Sequence, residues 1–161
     1  MSTTKLNVLI DQCIHDNLKL NYCVYAKLGN RWDQNPLPMS ADLDAGITYQ
    51  LRIWLQNTSP EISFTNIKLT ITPPRLMPAS PSPKKCVELY GNEALTQKLA
   101  DQFDISMNGL LAPSKTTQIY YYFFKVIRDF DSGHTVPLLH VMIRADVLPR
   151  GVYHQDMAWK V

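Results

Sequence analysis

Glycine is scarce, six residues against eleven prolines, and none of the six falls in a Gly-x-Gly-x-x-Gly or Gly-x-Ser-x-Gly arrangement. Phosphate-cradling loops and the strained nucleophile elbow of serine hydrolases are therefore not signalled. Cysteine is scarcer still: Cys13, Cys23 and Cys86 are odd in number and far apart. A disulfide framework is not expected, and a reducing, cytoplasmic compartment is. No apolar run approaches the roughly 20 residues of a membrane span. Leu6–Ile10 is interrupted by Asn7 and stopped by Asp11, too short for the core of a signal peptide. Ser2 follows Met1 where myristoylation needs glycine, and the ending Trp159-Lys160-Val161 offers no cysteine for prenylation. No membrane association is expected. Charge of either sign is thin at 19% of residues, and Lys+Arg 16 against Asp+Glu 14 leaves a net +2. That balance gives no footprint for nucleic acid. Without a recognised catalytic motif, no enzyme activity and no cofactor are expected.

What the sequence has in quantity is period-two alternation, the signature of a strand with one buried face. Ile47–Gln56 sets Ile47, Tyr49, Leu51, Ile53 and Leu55 against Thr48, Gln50, Arg52, Trp54 and Gln56. Residues 18–28, 65–72 and 139–147 repeat the pattern, and residues 6–14 and 104–111 carry weaker versions. Turns separate these runs at Asn57-Thr58-Ser59-Pro60 and Asp131-Ser132-Gly133. Asn30–Asp44 reads as a loop, and residues 73–85, with five prolines, as a crossing or polyproline-like connector. Leu95, Leu99 and Phe103, four apart, predict one helix over Glu93–Phe103. Seven or eight strands with a single helix fit an all-β, antiparallel two-sheet sandwich better than a parallel sheet, which needs a helix after most strands. The length of 161 residues suits one domain over 1–161.

The stretch Asp44–Pro74 carries a glycine, a long alternating strand, an asparagine turn, a second strand and a proline stop. A later stretch, GLLAPSKTTQIYYYFFKVI, adds a Pro-Ser-Lys turn and another long strand. This layout resembles immunoglobulin-like β-sandwiches of the bacterial cell-adhesion-repeat type and the appendage ("ear") sandwiches of clathrin adaptors. The resemblance covers residues 44–147 as core and leaves 1–43 as an N-terminal strand extension with a hairpin-like character. It implies a binding or spacer module and carries over no functional residue. With no signal segment expected and a slightly basic balance, the chain differs from secreted surface repeats.

The most unusual segment is Thr116–Arg128, TTQIYYYFFKVIR, which is aromatic or apolar on both faces. A sandwich strand normally buries one face. Beside Ile47–Gln56 it would place Trp54 next to either Tyr120, Tyr122 and Phe124 or Tyr121 and Phe123. Three or four rings at about 150–250 Å² each make a patch of the size that marks interaction sites. Trp54, Tyr120, Tyr122 and Phe124 are the candidate binding residues. The competing expectation, slightly the stronger, is that residues 1–28 or the C-terminal tail fold over this face. Recognition of a protein or peptide, through the ring face or by strand addition at an open edge, is the expected function, and a homodimer would use the same surface. The alternatives are a small-ligand or carbohydrate-binding sandwich, a structural subunit of a larger assembly, and an enzyme using His134, His140 or Asp131. Asp129-x-Asp131-x-Gly133 resembles the start of a calcium loop but lacks a later acid at the right distance, so hairpin-turn chemistry is preferred. His134 and His140 approach a zinc spacing without a cysteine pair, so no metal is expected. Arg75, Lys84 and Lys85 make the proline-rich connector basic, and Tyr153, Met157 and Trp159 suggest that the C-terminal tail docks.

Overall fold

A computed structural model describes residues 3–38, 43–44, 46–72, 75–76, 84–85, 87–126 and 140–149. The chain starts with a helix, α1 (Thr3–Asn17), where weak strand alternation was expected over 6–14. Leu6, Val8 and Ile10 alternate, but Leu6, Ile10 and Ile14 also recur every four residues, and the setting of Ile14 among Asp11, Gln12, His15 and Asp16 fits only the helical period. Its C-terminal end is held by Asn17, whose Nδ2 donates to Cys13 O at 2.9 Å and whose carbonyl accepts from Thr58 N and Thr58 Oγ1.

The strands follow: β1 (Leu18–Leu28), β2 (Arg31–Trp32), β3 (Thr48–Asn57), β4 (Ile62–Thr72), β5 (Arg75–Leu76), β6 (Lys84–Lys85), β7 (Val87–Tyr90), β8 (Phe103–Leu111), β9 (Tyr120–Val126) and β10 (His140–Pro149). They form a five-stranded antiparallel sheet in the order β2-β1-β3-β9-β7 and a three-stranded antiparallel sheet β10-β4-β8, with β5 and β6 as a separate short ribbon. The two sheets pack as a sandwich around one core. Leu51, Ile53, Leu55 and Phe124 of the larger sheet cluster with Phe64, Leu69 and Ile71 of β4 and Ile105 of β8. The expected antiparallel sandwich is the observed architecture.

The described part of the N-terminal segment, residues 3–38, is built into the sandwich. β1 pairs with β3 from Leu18↔Asn57 to Ala26↔Tyr49, and Leu18, Val24 and Ala26 belong to the core. A two-residue turn at Gly29-Asn30, with Gly29 at φ 65, returns the chain into β2. Glycine takes that left-handed conformation at no steric cost, which is why the hairpin turns there. α1 packs where β1 and β10 approach, with Ile14 in the core.

The helix expected over Glu93–Phe103 does not form. Asn92 Oδ1 accepts from Thr96 N and Gln97 N, and Leu95 takes a φ of 57 that no helix contains. The segment then lies against β7 through Gly91 N→Gln97 O and Leu99 N→Leu89 O. Phe103 begins β8 instead. The proline-rich connector is strand-paired at its two ends, Arg75↔Lys85 and Leu76↔Lys84. Its interior, Cys86, the run Asp129–His134 and the tail Gly151–Val161 lie outside the described residues.

Candidate binding face

Directly paired residues in an antiparallel sheet share a face. The register across β1, β3, β9 and β7 therefore defines both faces of the larger sheet. Ile53↔Tyr120, Leu51↔Tyr122 and Tyr49↔Phe124 fall on the inner one. Phe124 is core, stacked on Tyr49 with centroids 5.1 Å apart and planes 19° from parallel. Tyr122 is half-buried, packs against Phe103 at 5.3 Å, and has its phenol pushed up from its ordinary value by burial. Tyr120 is likewise half-buried against the core. Three of the four sequence-predicted residues thus face inward, because β9 sets its even positions opposite the apolar odd positions of β3. Trp54 alone lies on the outer face.

The outer face is ring-bearing all the same, through the other half of the alternation. One row reads Cys23, Arg52, Tyr121; the next reads Tyr25, Gln50, Phe123, Tyr90. Trp54 stands beside Asn21 one row further along. Trp32 reaches from β2 over the sheet to Phe123, with centroids 5.8 Å apart. Tyr121 and Phe123 form the second alternating set of the ring-rich strand. Tyr25, Trp32 and Arg52 carry no sequence signal of this placement, since Tyr25 and Arg52 sit in the polar half of their strands' alternation and β2 is only two residues long.

Cations thread these rings. Arg52 Cζ lies 4.2 Å from the Tyr25 ring centroid and 5.4 Å from that of Tyr121. Lys125 Nζ is 5.7 Å from the Tyr90 ring and Lys27 Nζ 5.8 Å from the Trp32 ring. Two carboxylates close the end of the face near β2 and β7. Glu93 accepts from Trp32 Nε1 at 3.1 Å and pairs with Lys27 at 3.2 Å. Glu88 pairs with Lys98 at 2.6 Å, and the hydrogen bond from Lys98 holds its carboxyl below the usual carboxylate range. Tyr121 is 47% exposed and neighbouring Ile119 42%, while Tyr25, Arg52, Trp54 and Phe123 are half-buried and Tyr90 is buried.

Residues 3–28 do not cover this surface: β1 extends the sheet sideways and α1 packs toward β10. The outer face of the smaller sheet differs in kind. Thr65, Lys68, Thr70, Asp104, Ser106 and Arg144 dominate it, with Leu110 and Met142 as its exposed apolar residues. Thr70 Oγ1 donates to Asp104 Oδ1 at 2.7 Å, and Lys68 pairs with Asp104 at 3.7 Å.

Among the described residues no three His, Cys, Asp or Glu side chains converge as a metal site, and no helix is long and apolar enough to cross a membrane. A crevice lined by Val87, Glu88, Lys98 and Leu99 has a volume of about 10 Å³, room for one water. No protein-family model matches the chain, and no curated protein or solved structure matches it significantly.

Proposed function

We propose that this chain is a non-catalytic protein-binding module that holds a partner protein against the outer face of its five-stranded sheet. One observation carries the reading: two outer faces of the same sandwich differ, one lined mainly by Thr, Ser, Lys, Asp and Arg144 with isolated Leu110 and Met142, the other by the aromatic cluster Tyr25, Trp54, Tyr121 and Phe123 around Arg52. Trp, Tyr and Arg are the residue types that dominate interface hot spots. The likeness of residues 44–147 to immunoglobulin-like and adaptor-appendage sandwiches points the same way, since those are mainly binding modules. Docking on the face is preferred to strand addition at that sheet's edges. Asp33 N→Ala26 O and Leu37 N→Val24 O occupy part of the β1 edge, and residues 97–99 occupy that of β7. Cys13 and Cys23, both free thiols, suit a reducing, cytoplasmic compartment.

A photo-crosslinking side chain at Asn21, beside Trp54 on the ring face, tests this against one at Ser106 on the polar face, both in native lysate. The Asn21 probe should yield protein adducts that the Ser106 probe does not, and Trp54→Ala with Tyr121→Ala should reduce them at least tenfold. Identical adducts from both faces, or adducts indifferent to the double substitution, would overturn the reading. An adduct of twice the 18.4 kDa chain mass would replace the partner with a second copy.

A further inference from the structure

Among the described residues Arg52 is the one guanidinium on the ring face, and it is held from three sides. Tyr25 and Tyr121 flank it, and its Nε donates to Gln50 Oε1 at 3.0 Å. Among the described residues, nothing accepts a hydrogen bond from its Nη atoms and no carboxylate lies within ion-pair distance. The acids of the face are engaged elsewhere, Glu93 with Lys27 and Trp32, Glu88 with Lys98 and Tyr90. On the opposite face, by contrast, Arg144 reaches Thr70 Oγ1, itself bonded to Asp104.

We infer that Arg52 receives a carboxylate of the partner, so that the segment laid across the ring face is an acidic stretch of protein. The inference rests on the binding-face reading above. Rings on either side of a guanidinium shield its faces and leave its edge to make hydrogen bonds. That edge matches the two oxygens of an Asp or Glu side chain in a bidentate pair. Anchoring Nε on Gln50 fixes the plane of the fork before the partner arrives, so less side-chain freedom is lost on binding. Aromatic side chains of the same segment would pack on Trp54 and Tyr121. The surrounding charge favours an acidic partner. Lys19, Lys27, Arg52, Lys98 and Lys125 lie on or beside the face against Glu88 and Glu93. The carboxylate is preferred to the phosphates of a nucleic acid because these cations are separated by rings and two of the five, Lys27 and Lys98, are already paired with carboxylates. Phosphodiester tracking needs a continuous basic groove.

The test uses a fluorescein-labelled random copolymer of glutamate and tyrosine as probe, read by anisotropy. Polylysine and a fifteen-residue oligothymidylate are the comparators. The full chain should bind the copolymer more tightly than either. Arg52→Gln should weaken binding at least tenfold. Arg52→Lys, which keeps the charge and loses the fork, should weaken it severalfold, and Lys68→Gln on the opposite face should leave it unchanged. Circular dichroism on each variant separates lost binding from lost folding, and Arg52→Lys decides if Arg52→Gln unfolds. Copolymer binding that is absent, that survives both Arg52 substitutions, or that is weaker than oligothymidylate binding would overturn the inference. Should Arg52→Gln leave copolymer binding intact while the Trp54/Tyr121 double variant still loses its crosslinks, the carboxylate inference fails alone and the binding face stands.

Discussion

Asn57 ends β3 with its side chain fully enclosed, at 0% exposure. Its Nδ2 lies within hydrogen-bond distance of Ile62 O, Leu111 O and Ala112 O, at 2.7 to 3.2 Å, and its Oδ1 accepts from Ser59 N at 3.0 Å. One amide thereby ties the turn between β3 and β4 to the end of β8. Removing it strands buried carbonyls, each worth about 1–3 kcal/mol. Asn57→Ala should therefore lower unfolding stability by about 2–4 kcal/mol in urea. Asn57→Asp should lower it further at neutral pH, because a carboxylate there faces carbonyl oxygens it cannot bond. The turn itself is readable from Asn57-Thr58-Ser59-Pro60; the carbonyls that Asn57 binds near position 111 are not, since they meet it only after the strands have paired. The tyrosines divide in the same way. Burial raises the phenols of Tyr49 and Tyr122 above 10.0, with the hydrogen bond from Asp44 N opposing the shift at Tyr49. Both hold their protons more tightly folded than unfolded, so their contribution is complete below the unfolded value and is lost as pH rises through the folded one. Melting temperature should fall more between about pH 8 and about pH 11 in the wild type than in Tyr122→Phe. Equal slopes would place Tyr122 in solvent, as in the outward orientation that would have made it a binding residue.

Elements with one clear period are legible, and those with two are not. β1, β3, β4 and β10 alternate cleanly, and their observed bounds fall within three residues of the alternating runs. In β4 the alternation even survives a bulge, because Asn66 adopts a φ of 50 and lets Ile67, Leu69 and Ile71 face inward after Phe64. α1 satisfies both periods over its first residues, and only its second half resolves the choice. Residues 93–103 show the reverse failure: the spacing of Leu95, Leu99 and Phe103 is helical, but Asn92 takes the backbone donors a first turn would need. α1 belongs to the folded unit through Ile14, buried at 8% exposure, and through the bonds of Asn17 to Thr58. Ile14→Ala should cost about 2–4 kcal/mol, the range for deleting a buried branched side chain. Leu9→Ala, at a position 55% exposed on the same helix, should cost less than about 0.5 kcal/mol. Equal costs in chemical denaturation would mean that the helix does not dock as described.

At the scale of the molecule, strand composition implies a sandwich but not which strands become neighbours. β9 lies between β3 and β7, and β10 pairs with β4, across sequence separations that alternation does not encode. The inner face of β9 follows from that pairing, which is why the ring-rich strand was legible and its orientation was not. The same topology should make the two sheets unfold as one cooperative unit, since β3 and β4 are consecutive and contribute to a single core from opposite layers. Leu69, at 0% exposure in β4, should then support the larger sheet as much as its own. Trp32 and Trp54 both report on the larger sheet, and Trp159→Phe removes the remaining indole from the signal. In that background Leu69→Ala should destabilise by about 2–5 kcal/mol and move the urea midpoint down by about 1–2 M. Tryptophan fluorescence and far-ultraviolet circular dichroism should shift together. A fluorescence transition that stays in place while the dichroism splits would mean that the sheets unfold separately, and the ring face would then be the surface of an independent layer.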